Sequence, residues 1–362
     1  MRNLFNGRGH VVIAILIVGA MVAFGGGPAR AEGVSVTVTA ADRALAAHLT
    51  TTYTHVSPAI GHVLNEAERA HPDQRDVSAG GRPSPAPLTG PTVSFDPNYL
   101  VYGSAPGNGG AYLSKARIHN VFVNCVKSGP TNNKIPRCWG SSGKDPASVP
   151  LPDQFIIDQN ASGYTHVIDQ YVGTTASNRY PLSTDVLVSY SLPNKQAAFT
   201  DIVAIVAKSA TTLGSSYAGY GDMYVVYFPA GTDVCSQTQC FSQNAFCAFH
   251  SNAEGTIGGY PLHLVFAAIP YQDVPHCRVT GGPNELNDSM ASMTAHEVAA
   301  TITDPDGDAW FNQTDSLLAG QEIGDECQLT PFSRYPTITL NGHQYKMQLE
   351  YSNAVSACIN QP

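Results

Sequence analysis

The sequence predicts an α/β fold: a single mixed-sheet domain with flanking helices, stapled by disulfides. Three observations predict it. Short apolar, β-rich runs alternate with helical spacings, one long helix stands late in the chain, and the 362 residues include eight cysteines behind an export signature.

The strands come first. Val121 to Val126, Val186 to Tyr190, Met223 to Phe228, Ala245 to Phe249 and Leu262 to Ile269 are apolar and rich in β-branched and aromatic residues, as strands buried in one sheet require. Phe199, Ile202, Val203, Val206 and Ala210 fall at helical spacing between the second and third of these runs. A second helix is expected from about Asn284 to Asp304, where Pro305 disfavours helical geometry for the residue before it. Near the end, Asn341-Gly342 after Ile338 and Leu340 suits a type I′ hairpin turn, and Met347, Leu349 and Tyr351 alternate with polar neighbours as a strand does.

The N-terminal third reads differently. Arg2 and Arg8, an apolar run from Val11 to Phe24 and the small-residue site Ala29-Arg30-Ala31 predict a signal peptide over 1–31 and a secreted mature chain without a membrane anchor. Residues 32–77 carry Leu45, Leu49, Tyr53, Val56, Val63, Ala67 and Ala70, spacings that predict two short helices broken at Pro58, in a pro-segment or a spacer. The Pro- and Gly-rich stretch 78–92 reads as a linker, and 93–362 as the α/β domain.

Charge narrows the partners. Cleavage removes three of 19 basic residues and no acid, so 28 acids leave a net charge of −12. Nucleic acid and anionic membrane surfaces need a basic patch and are excluded as expected partners. The even cysteine count in an exported chain favours disulfides; Cys235 and Cys240 share a zinc-knuckle spacing, but no second such pair follows.

The chemistry concentrates between His296 and Cys327. The stripe Leu286, Met290, Met293 continues at the same spacing to Glu297, Thr301 and Asp304, turning two carboxylates toward the buried side of the helix. Buried carboxylates need a partner, a proton or a cation. Glu322 and Asp325 add two acids around Gly324, which gives the backbone freedom to turn, and His250 closes an apolar run at the expected exposed end of a strand. His296-Glu297 begins like the zinc-peptidase helix motif, yet Ala300 stands where its second histidine belongs, so no two-histidine zinc site fits on this helix. The candidate ligands are therefore His296, Asp304, Glu322, Asp325 and His250 for Zn²⁺ or Ca²⁺, with Glu297 as the catalytic residue that activates water. Each also has a plain structural reading: His296 as a hydrogen-bonded core histidine, Glu297 in an ion pair, Asp304 as a cap.

Five segments carry a resemblance: YVVYFPAG (224–231), FCAFHSN (246–252), AHEVAATITDP (295–305), EIGDEC (322–327) and YKMQLEYSNAVSACI (345–359). In order and spacing they resemble a family of secreted bacterial and fungal proteins, distantly similar to plant phosphate-induced, EXORDIUM-like proteins. In bacterial members the helix reads His-Glu-x-x-Glu-x-x-Thr-Asp-Pro, which His296, Glu297, Thr303, Asp304 and Pro305 match while Ala300 replaces the second glutamate. The resemblance implies a secreted, cysteine-stapled α/β domain with a peptidase-like helix, and a cell-wall association without an assigned reaction. Two functions are expected in competition: a metal-dependent, peptidase-like hydrolase of zincin-like architecture acting on a peptide or cell-wall substrate, and a non-catalytic extracellular or wall-associated binding protein with a structural Ca²⁺ or a hydrogen-bonded acid cluster.

Overall fold

A computed structural model describes residues 33–58, 99–103, 109–125, 139–140, 150–214, 219–237, 239–244, 246–257, 260–313, 319–329 and 331–362. The expected signal peptide and linker, and the helical positions Val63, Ala67 and Ala70, lie outside these residues.

Seven strands make one mixed sheet: β1 (Val34–Thr37), β2 (Thr54–Pro58), β3 (Arg117–Val123), β4 (Val186–Ser189), β5 (Asp222–Tyr227), β6 (Phe246–Ile257) and β7 (Tyr260–Ile269). Their order across the sheet is β1-β4-β3-β5-β7-β6-β2. The first five in that order are parallel, while β6 runs antiparallel to both β7 and β2. The parallel strands are near-continuous apolar runs because both faces are covered; Val121, Val225 and Val226 are wholly inaccessible.

Five helices are described: α1 (Ala40–Ala46), α2 (Leu151–Asn160), α3 (Asp169–Val172), α4 (Phe199–Leu213) and α5 (Glu285–Thr303). Successive strand residues point to opposite faces, which sorts the two longest helices. Phe249 packs its ring on Phe199 of α4, whereas its neighbour His250 meets Glu297 of α5. Helices α4 and α5 therefore cover opposite faces.

Helix α5 starts at Asn284, whose side chain accepts the Asn287 N–H at 3.1 Å, and ends at Asp304 before Pro305. Every residue from Asp288 to Thr303 is buried, so the amphipathic stripe expected from Leu286, Met290 and Met293 understates the case. The helix is central, and its polar residues have protein rather than water around them.

Residues 32–77 correct the sequence reading most. A short helix is present as α1, but of the first expected helix it holds only Leu45; its end is strand β2, and β1 and β2 form the two edges of the sheet. Tyr53 and Val56 fitted a helical stripe by their spacing of three, but Tyr53 precedes the strand and Val56 lies on it, on the face opposite His55. The alternation Tyr53, His55 was the competing signal.

The C-terminal hairpin pairs β8 (Thr337–Leu340) with β9 (His343–Lys346). Asn341 and Gly342 sit at φ +47 and +88, as a type I′ turn requires. The strand expected through Met347 and Leu349 is absent there; pairing resumes only at β10 (Glu350–Ser352) with β11 (Ala357–Ile359). Three disulfides are described, Cys235–Cys240, Cys247–Cys277 and Cys327–Cys358, and Cys125 is also disulfide-bonded. The first removes the zinc-knuckle alternative: although Asp233 stands close by, both sulfurs are committed to each other. No helix among the described residues is long and apolar enough to cross a membrane.

Candidate metal centre

The sheet register builds the first half of the site. His55 on β2 is directly opposite His250 on β6, so both imidazoles project from the face that α5 covers, with ring centroids 5.7 Å apart. His250 is not at an exposed strand end, as expected, but well inside a twelve-residue strand and wholly buried. Helix α5 supplies His296, Glu297 and Asp304 from above. The turn 322–327 brings Glu322 and Asp325, and the stretch after β9 brings Gln348.

All six residues expected at the site, Glu297, His296, Asp304, Glu322, Asp325 and His250, thus converge in one buried cluster. His55, Tyr53 and Gln348 complete it and were missed. His55 and Tyr53 fell in the segment read as helix; Gln348 is an amide in an alternating run, and nothing local marks it.

The three imidazoles share one arrangement. His250 Nδ1 is 3.1 Å from Glu297 Oε2, His296 Nδ1 is 3.1 Å from the Gln348 amide nitrogen, and His55 Nδ1 is 3.3 Å from the Tyr53 hydroxyl. In each ring Nε2 is buried and has no hydrogen bond. Each Nε2 instead faces a carboxylate: His55 at 2.6 Å and His296 at 3.4 Å from Asp325, His250 at 3.6 Å from Glu322. The 2.6 Å contact of His55 with Asp325 is an ion pair, the shortest in the cluster. Asp325 Oδ1, Glu322 Oε2 and Asp304 Oδ2 are likewise buried without hydrogen bonds.

Such orphaned atoms are costly in a native interior. A ring held at one nitrogen by a side-chain partner and left open at the other is how ligating histidines are oriented. His55, His296 and Asp325 each offer one donor atom, all within 4.8 Å of one another. Tetrahedral zinc with bonds near 2.1 Å keeps its ligand atoms about 3.4 Å apart, so modest contraction closes the set.

Electrostatics point the same way. Burial opposes a charge on His55, but Asp325 and Glu322 outweigh it and raise the ring to about 10. Burial also pushes Asp325 upward, and His55 and His296 more than offset it, holding this carboxyl well below its usual range. Burial raises Asp304 to about 7 and Glu322 well above an ordinary glutamate. His250 is held down to about 3 by burial and by the charge on His55. The field in the cluster is negative, and without an ion His55 serves as its cation.

Close packing fixes the turn. A Cβ on Gly324 would lie 2.6 Å from His296 Nδ1 and 2.7 Å from its Cγ. Gly324 has an ordinary φ of −76, so clearance over the imidazole, not the turning freedom expected from sequence, is what the site needs from it. Gly307, at φ +77, similarly leaves room for the Tyr53 ring. Asn252 holds the other end of that segment by accepting the N–H groups of Thr52 and Tyr53.

Fold and site together define a disulfide-stapled α/β protein with a buried histidine–carboxylate cluster between helix and sheet. Comparison with protein-family models, curated proteins and solved structures gives no match.

Proposed function

We infer that the protein is a secreted, metal-dependent hydrolase with a zincin-like division of labour, a peptide being the first substrate class to test. One observation carries this reading: three imidazoles, two wholly buried and that of His55 half-buried, each tethered at Nδ1 and turning Nε2 toward a carboxylate of the cluster. Nitrogen donors favour a zinc-like ion over Ca²⁺, which takes oxygen ligands. His55, His296 and Asp325 would hold the ion. A bound ion of this kind polarises a carbonyl and acidifies water.

The chain's own part follows from position. Glu297 is next to His296 on α5 and is the residue assigned to take the proton from water. Its hydrogen bond to His250 fixes the carboxylate, so His250 orients the base. Tyr53, bonded to Glu322, fixes the remaining wall. The similarity to secreted, EXORDIUM-like proteins supports an extracellular setting, as does the disulfide set.

Burial favours a second reading. Among the candidate ligands only His55 has appreciable exposure, at 18% of its side chain. An ion so enclosed would equally serve to tie α5, β2, β6 and the 322–327 turn together in a wall-associated binding protein.

Elemental analysis of the dialysed mature protein, with a fluorogenic peptide screen, tests both. The hydrolase predicts stoichiometric zinc in the wild type, loss in His296→Ala and His55→Ala, and Glu297→Gln that keeps zinc but loses at least a hundredfold in rate. Zinc that stabilises the fold, with no hydrolysis by any variant, would select the binding protein. Absence of metal would sink the hydrolase.

A further inference from the structure

One ion does not account for the donor set. His55, His296 and Asp325 satisfy most of a four-coordinate site, yet His250 Nε2, Glu322 Oε2 and Asp304 Oδ2 still stand buried without hydrogen bonds. His250 and Glu322 are wholly inaccessible, and the two open atoms face each other at 3.6 Å. Their opposite ends are both committed: His250 Nδ1 to Glu297, and Glu322 Oε1 to the Tyr53 hydroxyl. Neither side chain can turn its open atom elsewhere without giving up that bond.

The charge count agrees. Glu297, Asp304, Glu322 and Asp325 share the cluster, and the ion pairs made there by described residues are all with imidazoles. One divalent ion leaves the fully ionised set at about −2, and a second balances it. The two donor sets are neighbours, since Glu322 Oε1 is also 3.8 Å from His55 Nδ1.

We propose that the cluster holds two adjacent divalent transition-metal ions, the first on His55, His296 and Asp325 and the second on His250, Glu322 and Asp304. The proposal rests on the metal reading above and deepens it. Of the two sets only the first brings its three donor atoms within 4.8 Å of one another, so the second must contract further to close and its ion is the weaker bound. Paired ions held there would acidify the attacking water and polarise the carbonyl oxygen of an ester or amide.

The test is a Zn²⁺ titration of the chelator-stripped mature protein, with bound zinc counted by elemental analysis after gel filtration. Electron paramagnetic resonance of the Mn²⁺-loaded protein reports whether two ions are neighbours. Two equivalents with unequal affinity and a spin-coupled manganese spectrum are expected, falling to one equivalent and an uncoupled spectrum in Glu322→Gln and in His250→Gln. Near-ultraviolet circular dichroism checks that each variant is folded, and either one suffices. A single equivalent in the wild type, unchanged in both variants, overturns the second ion and leaves the first reading standing. Two uncoupled ions overturn the proposal as well, and no bound zinc overturns both readings.

Discussion

At the scale of the residue, Gly324 separates packing from chemistry. The His296 ring is fixed by α5 on one side and Gln348 on the other, so it cannot yield to a new methyl group 2.6 Å away. The 322–327 turn must move instead, and Asp325 moves with it. Gly324→Ala should cost about 1–3 kcal/mol, the usual penalty for overpacking a filled core. It should also weaken zinc binding by about tenfold or more, because second-layer disturbances of ligand orientation have that effect. Thermal melts with and without zinc measure both; a variant that melts and binds like the wild type would remove the turn from the site.

At the scale of the element, the staples decide which pieces of chain can be moved without cost to the site. Cys327–Cys358 closes a sequence separation of 31 and ties the turn carrying Asp325 to β11, whereas Cys235–Cys240 closes only 5 and stands apart from the cluster. By loop entropy the first is worth about 4 kcal/mol and the second about 2. The double replacement Cys327→Ser, Cys358→Ser should therefore lower both stability and zinc affinity, while Cys235→Ser, Cys240→Ser lowers stability alone; equal losses of zinc from the two would refute the distinction. The elements themselves were unequally legible. Strands β3, β4, β5 and β7 and helices α4 and α5 were readable because burial on both faces writes continuous apolar runs, and Pro305 marks the end of α5. Strand β2 was not, because its site-facing position His55, and Tyr53 just before the strand, are chosen by the cluster rather than by the core. His250, His296, Glu297 and Asp304 stood out by being polar on apolar elements, and Glu322 and Asp325 as paired acids around Gly324; Gln348 did not, since an amide acquires its meaning only from the imidazole beside it.

At the scale of the whole molecule, residues 33–58 join opposite ends of the sheet. β1 lies at one edge beside β4, β2 at the other beside β6, and α1 between them packs on α4, with Arg43 2.9 Å from Asp201 and Lys208 3.2 Å from Asp42. This arrangement conflicts with a spacer that is free to leave. A chain starting at residue 59 loses both edge strands, which opens the backbone of β4 and β6 to pairing with other chains. It also loses His55 and Tyr53 from the cluster. Such a chain should associate in solution, melt well below the chain starting at residue 33, and fail to retain zinc at the His296–Asp325 position. His55→Ala in the longer chain isolates the second effect: it should keep that chain's association state and fold yet release the first ion. Light scattering, thermal melts and elemental analysis on the three proteins distinguish these roles. If the chain from 59 were monomeric and bound zinc as the longer one does, the N-terminal strands would be dispensable and His55 would be no ligand.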